Sequence, residues 1–265
     1  PRGWKPLVYC WRGGNRSGSR AHVLARIGWP VVQLDGGYKE YRRSVVALLD
    51  EQPQRLQFRS LCGTTGSGKS RLLQYLIRAG AQVLDLEALA AHRGSVLGGL
   101  PTEPQPSQKM FESRLWQALR GFSSRQVVYV ESESKKIGDL RVPDKLIERM
   151  RASPCIRVDL SVANRVKLLI EDYPHLVTDT ALLGRQLAHL TPLHGKERIS
   201  EWMALADAGK TEALVEALLV EHYDPAYLRS IERNFSGYRD ARVLQLSGIG
   251  DAEFSAAADA LRMDE

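Results

Sequence analysis

The chain has 265 residues, of which 43% are apolar and 26% are charged, so a folded core is expected and disorder is not. No apolar run approaches the ~20 residues of a membrane helix, and we expect no membrane partner. Three cysteines without a CxxC pair argue against a disulfide framework and favour a reducing, cytoplasmic location.

Charge is distributed unevenly along the chain. The net charge is +6, yet residues 1–78 hold 14 Lys or Arg against 4 Asp or Glu, and the rest is net negative. A basic third of a chain suggests an anionic partner, with nucleic acid or a phosphate as the usual candidates. A solvated basic surface would give the same count.

The first 50 residues predict a small α/β unit. A buried strand over residues 7–9 precedes a glycine-containing loop, a helix over 21–27, a second strand over 31–34 and a helix over 38–49. Because Pro53 interrupts the helical pattern, we expect a break there and a second unit from residue 55.

The loop after the first predicted strand has a spacing typical of anion-binding loops built on cysteine. Cys10 and Arg16 are separated by five residues, and Ser17 follows. Backbone N–H groups and a guanidinium around the sulfur would lower the pKa of the thiol, which makes Cys10 the candidate catalytic residue. A strand-end cysteine beside a flexible loop would share this spacing, and Cys62 and Cys155 are predicted to be core residues.

The residues expected to surround the Cys10 thiol are Trp11, Arg12, Gly13, Gly14, Asn15, Arg16 and Ser17.

A second loop, over residues 63–70, matches G-x-x-x-x-G-K-S/T between a predicted strand over 56–62 and an amphipathic helix. Such a loop directs backbone N–H groups at phosphate oxygens, and the helix adds the positive end of its dipole. The pattern indicates a diphosphate or triphosphate ligand, whereas it does not identify a base. The predicted phosphate-binding residues are Gly63, Thr64, Thr65, Gly66, Ser67, Gly68, Lys69 and Ser70.

P-loop domains usually hold Mg²⁺ with an acid at the end of a second strand. Glu131 ends a strand predicted over 127–131 and is the first candidate, Asp85 ends one predicted over 82–86 and is the second, and Glu133 lies near. Each of these acids could instead be a solvated carboxylate at a strand end. We expect no tightly bound cofactor and no intrinsic metal, with Mg²⁺ as an optional ion at the phosphate loop.

Together the two loops resemble those of tRNA 2-selenouridine synthases, a family that joins a rhodanese-like domain to a P-loop domain. Residues 85–87, 92–95, 105–112, 131–138 and 222–227 add to the resemblance, which covers nearly the whole chain. It implies an α/β fold with three parts. Residues 1–50 would be the carboxy-terminal portion of a rhodanese-like domain whose amino-terminal part is missing from this chain. Residues 55–240 would form a P-loop domain with helical insertions, and 241–265 a carboxy-terminal tail of that domain.

The resemblance implies a transferase that replaces the sulfur of wobble 2-thiouridine in tRNA with selenium from selenophosphate. The route would pass through an S-geranyl intermediate made from geranyl diphosphate, with Cys10 as the catalytic thiol of the rhodanese-like part. Its partners would be a tRNA with wobble 2-thiouridine and a supply of selenophosphate; the oligomeric state stays open. Two other functions remain open: a cysteine phosphatase fused to a nucleotide-binding module, and an ATP-switched RNA-binding protein without enzymatic activity.

Overall fold

A computed structural model describes residues 3–12, 14–95, 98–99 and 103–263. Its amino-terminal elements are β1 (Leu7–Val8), α1 (Asn15–Arg26), β2 (Val32–Gln33) and α2 (Gly37–Arg55). The two strands pair in parallel, and their order matches the prediction. The assignment of this unit to the rhodanese fold stays a prediction.

The first strand is not buried, contrary to the prediction, and the side chain of Leu7 is 60% exposed. Between residues 3 and 36, the described residues that are buried are Pro6, Gly14 and Ser17. The reason is that a two-stranded sheet with a single crossing helix has too little surface to cover both of its faces. The apolar pattern indicated the strand correctly but did not reveal that its faces lack packing partners among the described residues.

Helix α2 passes through Pro53, so the predicted break at that proline is wrong. Pro53 lies in the last turn of the helix and is itself buried. Val45 and Leu49 of the same helix are buried in the core of the next unit, where the helices over Gln108–Arg120 and Asp144–Arg151 pack against α2. The apolar surface buried by α2 therefore outweighs the one backbone hydrogen bond that proline cannot make.

The next elements supply most of a parallel sheet and its covering helices. They are β3 (Gln57–Cys62), α3 (Lys69–Arg78), β4 (Gln82–Leu84), α4 (Leu86–Ala90), α5 (Gln108–Arg120), β5 (Val127–Glu131), β6 (Lys136–Ile137), β7 (Leu140–Arg141), α6 (Asp144–Arg151) and β8 (Pro154–Leu160). Short strands β6 and β7 form a separate antiparallel hairpin.

The remaining elements are mainly helical, which agrees with the helical insertions expected in the P-loop domain. They are α7 (Val162–Asp172), α8 (Pro174–Thr178), α9 (Thr180–Ala188), α10 (Thr191–Asp207), α11 (Thr211–Leu218), a π-helical turn (Leu219–Tyr223), α12 (Asp224–Asn234), β9 (Gly237–Leu246) and α13 (Asp251–Met263). No helix in the described part of the chain is both long and apolar enough to cross a bilayer.

The five-stranded sheet has the order β4-β5-β3-β8-β9, and all of its neighbouring strands are parallel. One face packs on α2, α5 and α6, and the other packs on α3 and α13. Strand β5 shows this division directly, because Val128 and Val130 face one layer and Tyr129 faces the other. The fold agrees with the predicted P-loop-like α/β class, and β3, which leads into the phosphate loop, is the central strand.

The last 29 residues include a strand that the sequence pattern did not indicate. Strand β9 carries Arg239, Asp240 and Arg242 and pairs with β8 at the edge of the sheet. Charged residues are common on edge strands and hide the apolar alternation. The predicted boundary at residue 241 therefore falls inside this strand.

Replacing Phe254 on α13 tests whether this helix is part of the P-loop core. Phe254 is fully buried and stacks on Tyr75 of α3, so Phe254→Ala should lower the free energy of unfolding by about 3–5 kcal/mol. The matched control Met263→Ala removes an 87% exposed side chain of the same helix, and its effect should stay within about 0.5 kcal/mol. Urea unfolding measures both, and equal effects would show that α13 is a peripheral tail.

Candidate phosphate site and thiolate loop

The phosphate loop lies between β3 and α3, as predicted. Gly66 and Gly68 have φ angles of 77° and 88°, a conformation that favours glycine. Space gives a second reason, because a Cβ atom at Gly68 would lie 2.8 Å from the ring of Phe254 and one at Gly66 would lie 3.0 Å from Leu169. The glycines thus allow the loop to pass close to α7 and α13.

Several polar atoms of this loop have no protein partner within the described ranges. Among the residues that the structure describes, the backbone N–H groups of Gly66, Gly68 and Lys69 have no acceptor, and the buried hydroxyl of Ser67 has no hydrogen-bond partner. Unpaired donors at the start of a helix are what an anion needs. The geometry supports the prediction of a phosphate site.

The first three carbonyl groups of the loop, in contrast, all accept hydrogen bonds from side chains. Lys69 Nζ donates to the carbonyls of Gly63 at 2.6 Å and Thr64 at 3.2 Å. Arg165 Nε donates to the carbonyl of Thr65 at 2.8 Å. Two cationic side chains therefore hold three consecutive carbonyls.

Arg165, on α7, is fixed by an ion pair that the sequence did not reveal. Its side chain is 5% exposed and forms a bidentate pair with Asp224 at 2.9 and 2.5 Å. Such a planar fork on a carboxylate fixes orientation as well as charge. In the sequence, Arg165 fits the pattern of an exposed residue on an amphipathic helix. Its role in holding the loop is identified only by its burial and its contacts in the structure.

Tyr227, three residues after Asp224 on α12, contacts the first residue of the loop through its backbone N–H group. Its hydroxyl accepts the N–H of Gly63 at 2.6 Å and lies 3.1 Å from the hydroxyl of Ser132. Burial raises the pKa of Tyr227, so the phenol keeps its proton. Asp224 and Tyr227 both belong to residues 222–227, which resemble the family but had no role assigned from the sequence.

Three carboxylates gather beside the loop: Glu87, Glu131 and Glu133, whose oxygens lie within 4.8 Å of one another. Glu131 is 2% exposed, and its Oε1 has no hydrogen-bond partner among the described residues. Burial raises the pKa of Glu87 to about 8, with the charge of Glu133 as the next cause. The pKa of Glu131 is also raised, by burial and then by its acidic neighbours.

This acidic cluster fits a divalent cation. The unpaired buried oxygen of Glu131 and the hydroxyl of Ser70, which donates to Glu87 at 3.0 Å, are hard oxygen donors of the kind that Mg²⁺ prefers. Without a cation, burial and the charges of neighbouring carboxylates favour the protonated forms of Glu87 and Glu131. The geometry therefore supports the prediction that Glu131 is the acid at the end of the second strand.

Asp85, the second predicted acid, does not join the cluster. Strand β4 ends at Leu84, and the side chain of Asp85 caps α4 by accepting the N–H of Ala88 at 2.8 Å. Gln74 Nε2 donates a hydrogen bond to the other carboxylate oxygen of Asp85 at 2.8 Å. Because α4 begins at Leu86, Glu87 lies at the site instead. The sequence prediction missed Glu87 because the predicted strand extended to residue 86.

The thiolate loop joins β1 to α1. Ser17 Oγ donates to Cys10 Sγ at 3.4 Å. This hydroxyl is the largest cause of a lowered pKa of Cys10, at about 7, and hydrogen bonds from the backbone of Ser17, Gly14 and Arg12 add to it. Because α1 begins at Asn15, earlier than predicted, its amino-terminal dipole also faces the sulfur. The thiolate form of Cys10 is therefore favoured in comparison with an ordinary cysteine.

Gln33 supports the loop from β2 and was not predicted. Its Nε2 donates to the carbonyl of Gly14 at 2.9 Å and to Ser17 Oγ at 3.2 Å. The contact orients the hydroxyl that faces Cys10. Nothing in the local pattern of a two-residue strand signals such a role.

The other predicted loop residues differ in their contributions. Arg12, Asn15 and Arg16 are exposed, and within the described ranges Arg16 makes no hydrogen bond to Cys10. The predicted guanidinium contact is thus not observed, because Arg16 lies on the solvent side of the first turn of α1. Gly13 lies outside the described residues.

Trp11 instead attaches the loop to the larger unit. It stacks on Tyr38 with ring centroids 4.9 Å apart, and Tyr38, Tyr41 and Trp116 continue the aromatic contacts to α5. Arg42 of α2 also pairs with Glu112 of α5. The thiolate loop is therefore held against the P-loop unit through α2. Cys62 and Cys155 are buried, as predicted for core cysteines.

A parallel sheet whose central strand leads through a glycine-rich anion loop into a helix defines a P-loop domain. The family model for the tRNA 2-selenouridine synthase AAA domain matches residues 56–189. Relatives named tRNA 2-selenouridine synthase come from Nitrosomonas europaea, 38% identical over 64% of this chain, Hydrogenovibrio crunogenus, 32% over 89%, and Pseudomonas fluorescens, 33% over 97%. The chain belongs to the tRNA 2-selenouridine synthase family. It spans 44%, 72% and 74% of the length of these three relatives, respectively.

Removing the Tyr227 hydroxyl tests whether α12 holds the phosphate loop. Tyr227→Phe leaves the N–H of Gly63 without its acceptor, so the free energy of unfolding should fall by about 1–3 kcal/mol. Inorganic diphosphate should also bind more weakly, as isothermal calorimetry would measure. Tyr41→Phe is the control, and a Tyr227 variant with unchanged affinity would contradict this role.

Ser17 offers a test of the thiolate loop. Ser17→Ala removes the main hydrogen bond to the sulfur, so the pKa of Cys10 should rise from about 7 toward its ordinary value of 9.0. Because the thiolate is the form that reacts, alkylation by iodoacetamide should be slower at pH 7 and its midpoint should move to higher pH. Ser19→Ala is the control, because the Ser19 hydroxyl lies on the same helix and donates to the backbone carbonyl of Asn15. This variant should leave the pH profile of alkylation unchanged. A midpoint that stays near 7 in Ser17→Ala would refute the assignment.

Proposed function

We propose that this chain acts in the replacement of sulfur by selenium at wobble 2-thiouridine of tRNA. Geranyl diphosphate would be the ligand of the phosphate loop, and selenophosphate would be the selenium donor. The observation that carries the proposal is the presence of two separate anion sites, one at a phosphate loop and one at a thiolate, in a member of this family. The proposal implies a cytoplasmic location, where the tRNA substrate is found.

The first step would be transfer of the geranyl group. The sulfur of 2-thiouridine attacks C1 of geranyl diphosphate, so that an S–C bond forms, the C–O bond breaks and diphosphate leaves. Lys69 and the free backbone amides of the loop stabilise the leaving diphosphate. Mg²⁺, when bound by Glu87, Glu131 and Ser70, would neutralise part of its charge.

The second step would exchange the group at C2 of the uridine. Cys10, as a thiolate, would attack C2, so that an S–C2 bond forms and geranylthiol leaves with a proton from water. Selenium of selenophosphate would then bond to C2 as the Cys10 thiolate leaves, and water would break the P–Se bond and release inorganic phosphate. We assign Cys10 to this second step.

The charge of the amino-terminal third fits a nucleic-acid substrate. Residues 1–78 carry 14 basic and 4 acidic side chains, and Arg12, Arg16 and Arg20 are exposed around the thiolate loop. Exposed cations of this kind attract the phosphate backbone without reading sequence. The uridine would therefore be brought to Cys10 by the same surface that binds the tRNA.

The test is mass spectrometry of the nucleosides of 2-thiouridine tRNA after incubation with both small substrates and with each one alone. Geranyl diphosphate alone should give the S-geranyl nucleoside, and both together should give 2-selenouridine. Selenouridine formed without geranyl diphosphate would rule out the S-geranyl intermediate. Unchanged tRNA together with phosphate release from an aryl phosphate, lost in Cys10→Ser, would favour a cysteine phosphatase.

Two variants should separate the steps in that assay. Cys10→Ala should keep geranylation and reduce selenouridine by about 100-fold or more, because it lacks the thiolate of the second step. Lys69→Ala should reduce both products by about 100-fold, because the leaving diphosphate loses its cation. Lys145→Ala, at an exposed ion pair with Glu148, is the control. Normal selenouridine from Cys10→Ala would contradict the assignment of the second step.

A further inference from the structure

The indole of Trp11 follows Cys10 directly in the chain and is 54% exposed. Tryptophan is highly buried on average in folded proteins, so a ring with half of its surface in water is unusual. The ring is nevertheless held firmly, because it stacks on Tyr38 with the two ring planes inclined by 23°, and Tyr41 and Trp116 continue the contacts to α5. Tyr38 covers one face, which leaves the opposite face and the ring edge to solvent.

Tyr38 also fixes the backbone of Cys10 beside this ring. Its N–H donates to the carbonyl of Cys10 at 2.9 Å, while its side chain supports Trp11. Gly37 permits the close approach, because a Cβ atom at this position would collide with the carbonyl oxygen of Cys10. The indole and the residue that carries the thiolate are therefore positioned by the same two residues at the start of α2.

Positive charge lies close to this indole. Lys109 Nζ of α5 is 5.4 Å from the centre of the Trp11 ring, and Arg12 and Arg16 are exposed on the same loop. Within the described ranges, none of these three cations forms an ion pair with a carboxylate. An aromatic ring among free cations suits single-stranded nucleic acid, because the ring stacks on a base and the cations attract phosphates. An apolar protein segment on this ring would leave the cations without counter-charges, so the surroundings favour RNA.

We propose that Trp11 is a positioning residue on which the base of the target uridine stacks beside the Cys10 thiolate. The inference rests on the proposed function, in which the substrate is an unpaired wobble nucleotide of tRNA. Because the Cα atoms of adjacent residues are about 3.8 Å apart, a base on the open face of Trp11 lies within reach of the Cys10 side chain. Stacking covers one face of the pyrimidine and leaves its edges and its other face accessible to reactants.

The test compares two RNA stem-loops, one with 2-thiouridine at the wobble position and one that is abasic at that position. Fluorescence anisotropy of labelled RNA measures their affinities for the full chain. The wild type should bind the stem-loop with the base about tenfold more tightly, because stacking on an aromatic ring stabilises a bound base. Trp11→Leu should bind both RNAs with the affinity of the abasic one, and Trp11→Phe should retain most of the preference.

Trp4→Leu is the matched control. Trp4 is a 48% exposed tryptophan of the same amino-terminal unit, and it packs edge-on against Trp29 and not against the thiolate loop. This variant should keep the tenfold preference for the base. Arg12→Ala should also keep the preference but should reduce the slope of log affinity against log salt by about 1, whereas Trp11→Leu should leave that slope unchanged because it removes no charge.

Equal affinity of the wild type for the two stem-loops would overturn the inference. A preference that survives in Trp11→Leu, or one that is lost equally in Trp11→Leu and Trp11→Phe, would do the same. If Trp11→Leu does not fold, crosslinking of the wild type decides. A stem-loop with photoreactive 4-thiouridine at the wobble position should crosslink to Trp11, and crosslinks confined to other residues overturn the assignment.

Failure of the inference and failure of the proposed function have different signatures. A base preference that depends on Trp11, in a protein that forms neither S-geranyl nor selenouridine nucleosides, would refute the proposed function while the stacking assignment stood. Both nucleosides formed by a protein without any preference for the base would do the reverse.

Discussion

The phosphate loop depends on one constraint: its backbone amides are free for a ligand only if its carbonyls are held by something else. Lys69 donates hydrogen bonds to the carbonyls of Gly63 and Thr64, and Arg165 donates one to the carbonyl of Thr65. Asp224 of α12 orients Arg165 through an ion pair, and the hydroxyl of Tyr227, also on α12, accepts a hydrogen bond from the N–H of Gly63. Residues separated by more than 150 positions in the chain thus shape one turn of backbone.

The acidic cluster and the thiolate loop use electrostatics in opposite ways. At the acidic cluster, burial and the charges of neighbouring carboxylates raise the pKa of Glu87 and Glu131, so the charged forms are disfavoured without a cation. At the thiolate loop, hydrogen bonds from Ser17 and from the backbone lower the pKa of Cys10, so the anion is favoured without a cation. The acidic cluster and the thiolate loop, to which we assign the two proposed steps, are therefore separate in the fold.

The connection between the two sites is made by α2 and not by the short amino-terminal strands. Those strands bury little, whereas Val45 and Leu49 of α2 are buried in the main core. The stack from Trp11 through Tyr38 and Tyr41 to Trp116 then fixes the thiolate loop to that helix and to α5. A rigid helix with one face in the core can hold an otherwise poorly covered loop in a definite position.

The sequence by itself determined the features that depend on neighbouring residues. These were the glycine-rich loop between a strand and a helix, the buried strand that ends at Glu131, and the spacing of Cys10 and Ser17, since backbone conformation and local hydrogen bonds follow from adjacent side chains. Only the tertiary structure decided the rest. Arg165, Tyr227 and Glu87 reach the site through the crossover order of the sheet, β9 exists because β8 offers an edge, and Asp85 is a helix cap because β4 ends early. Contacts between distant segments leave no local period in a sequence, so no pattern of residues could have revealed them.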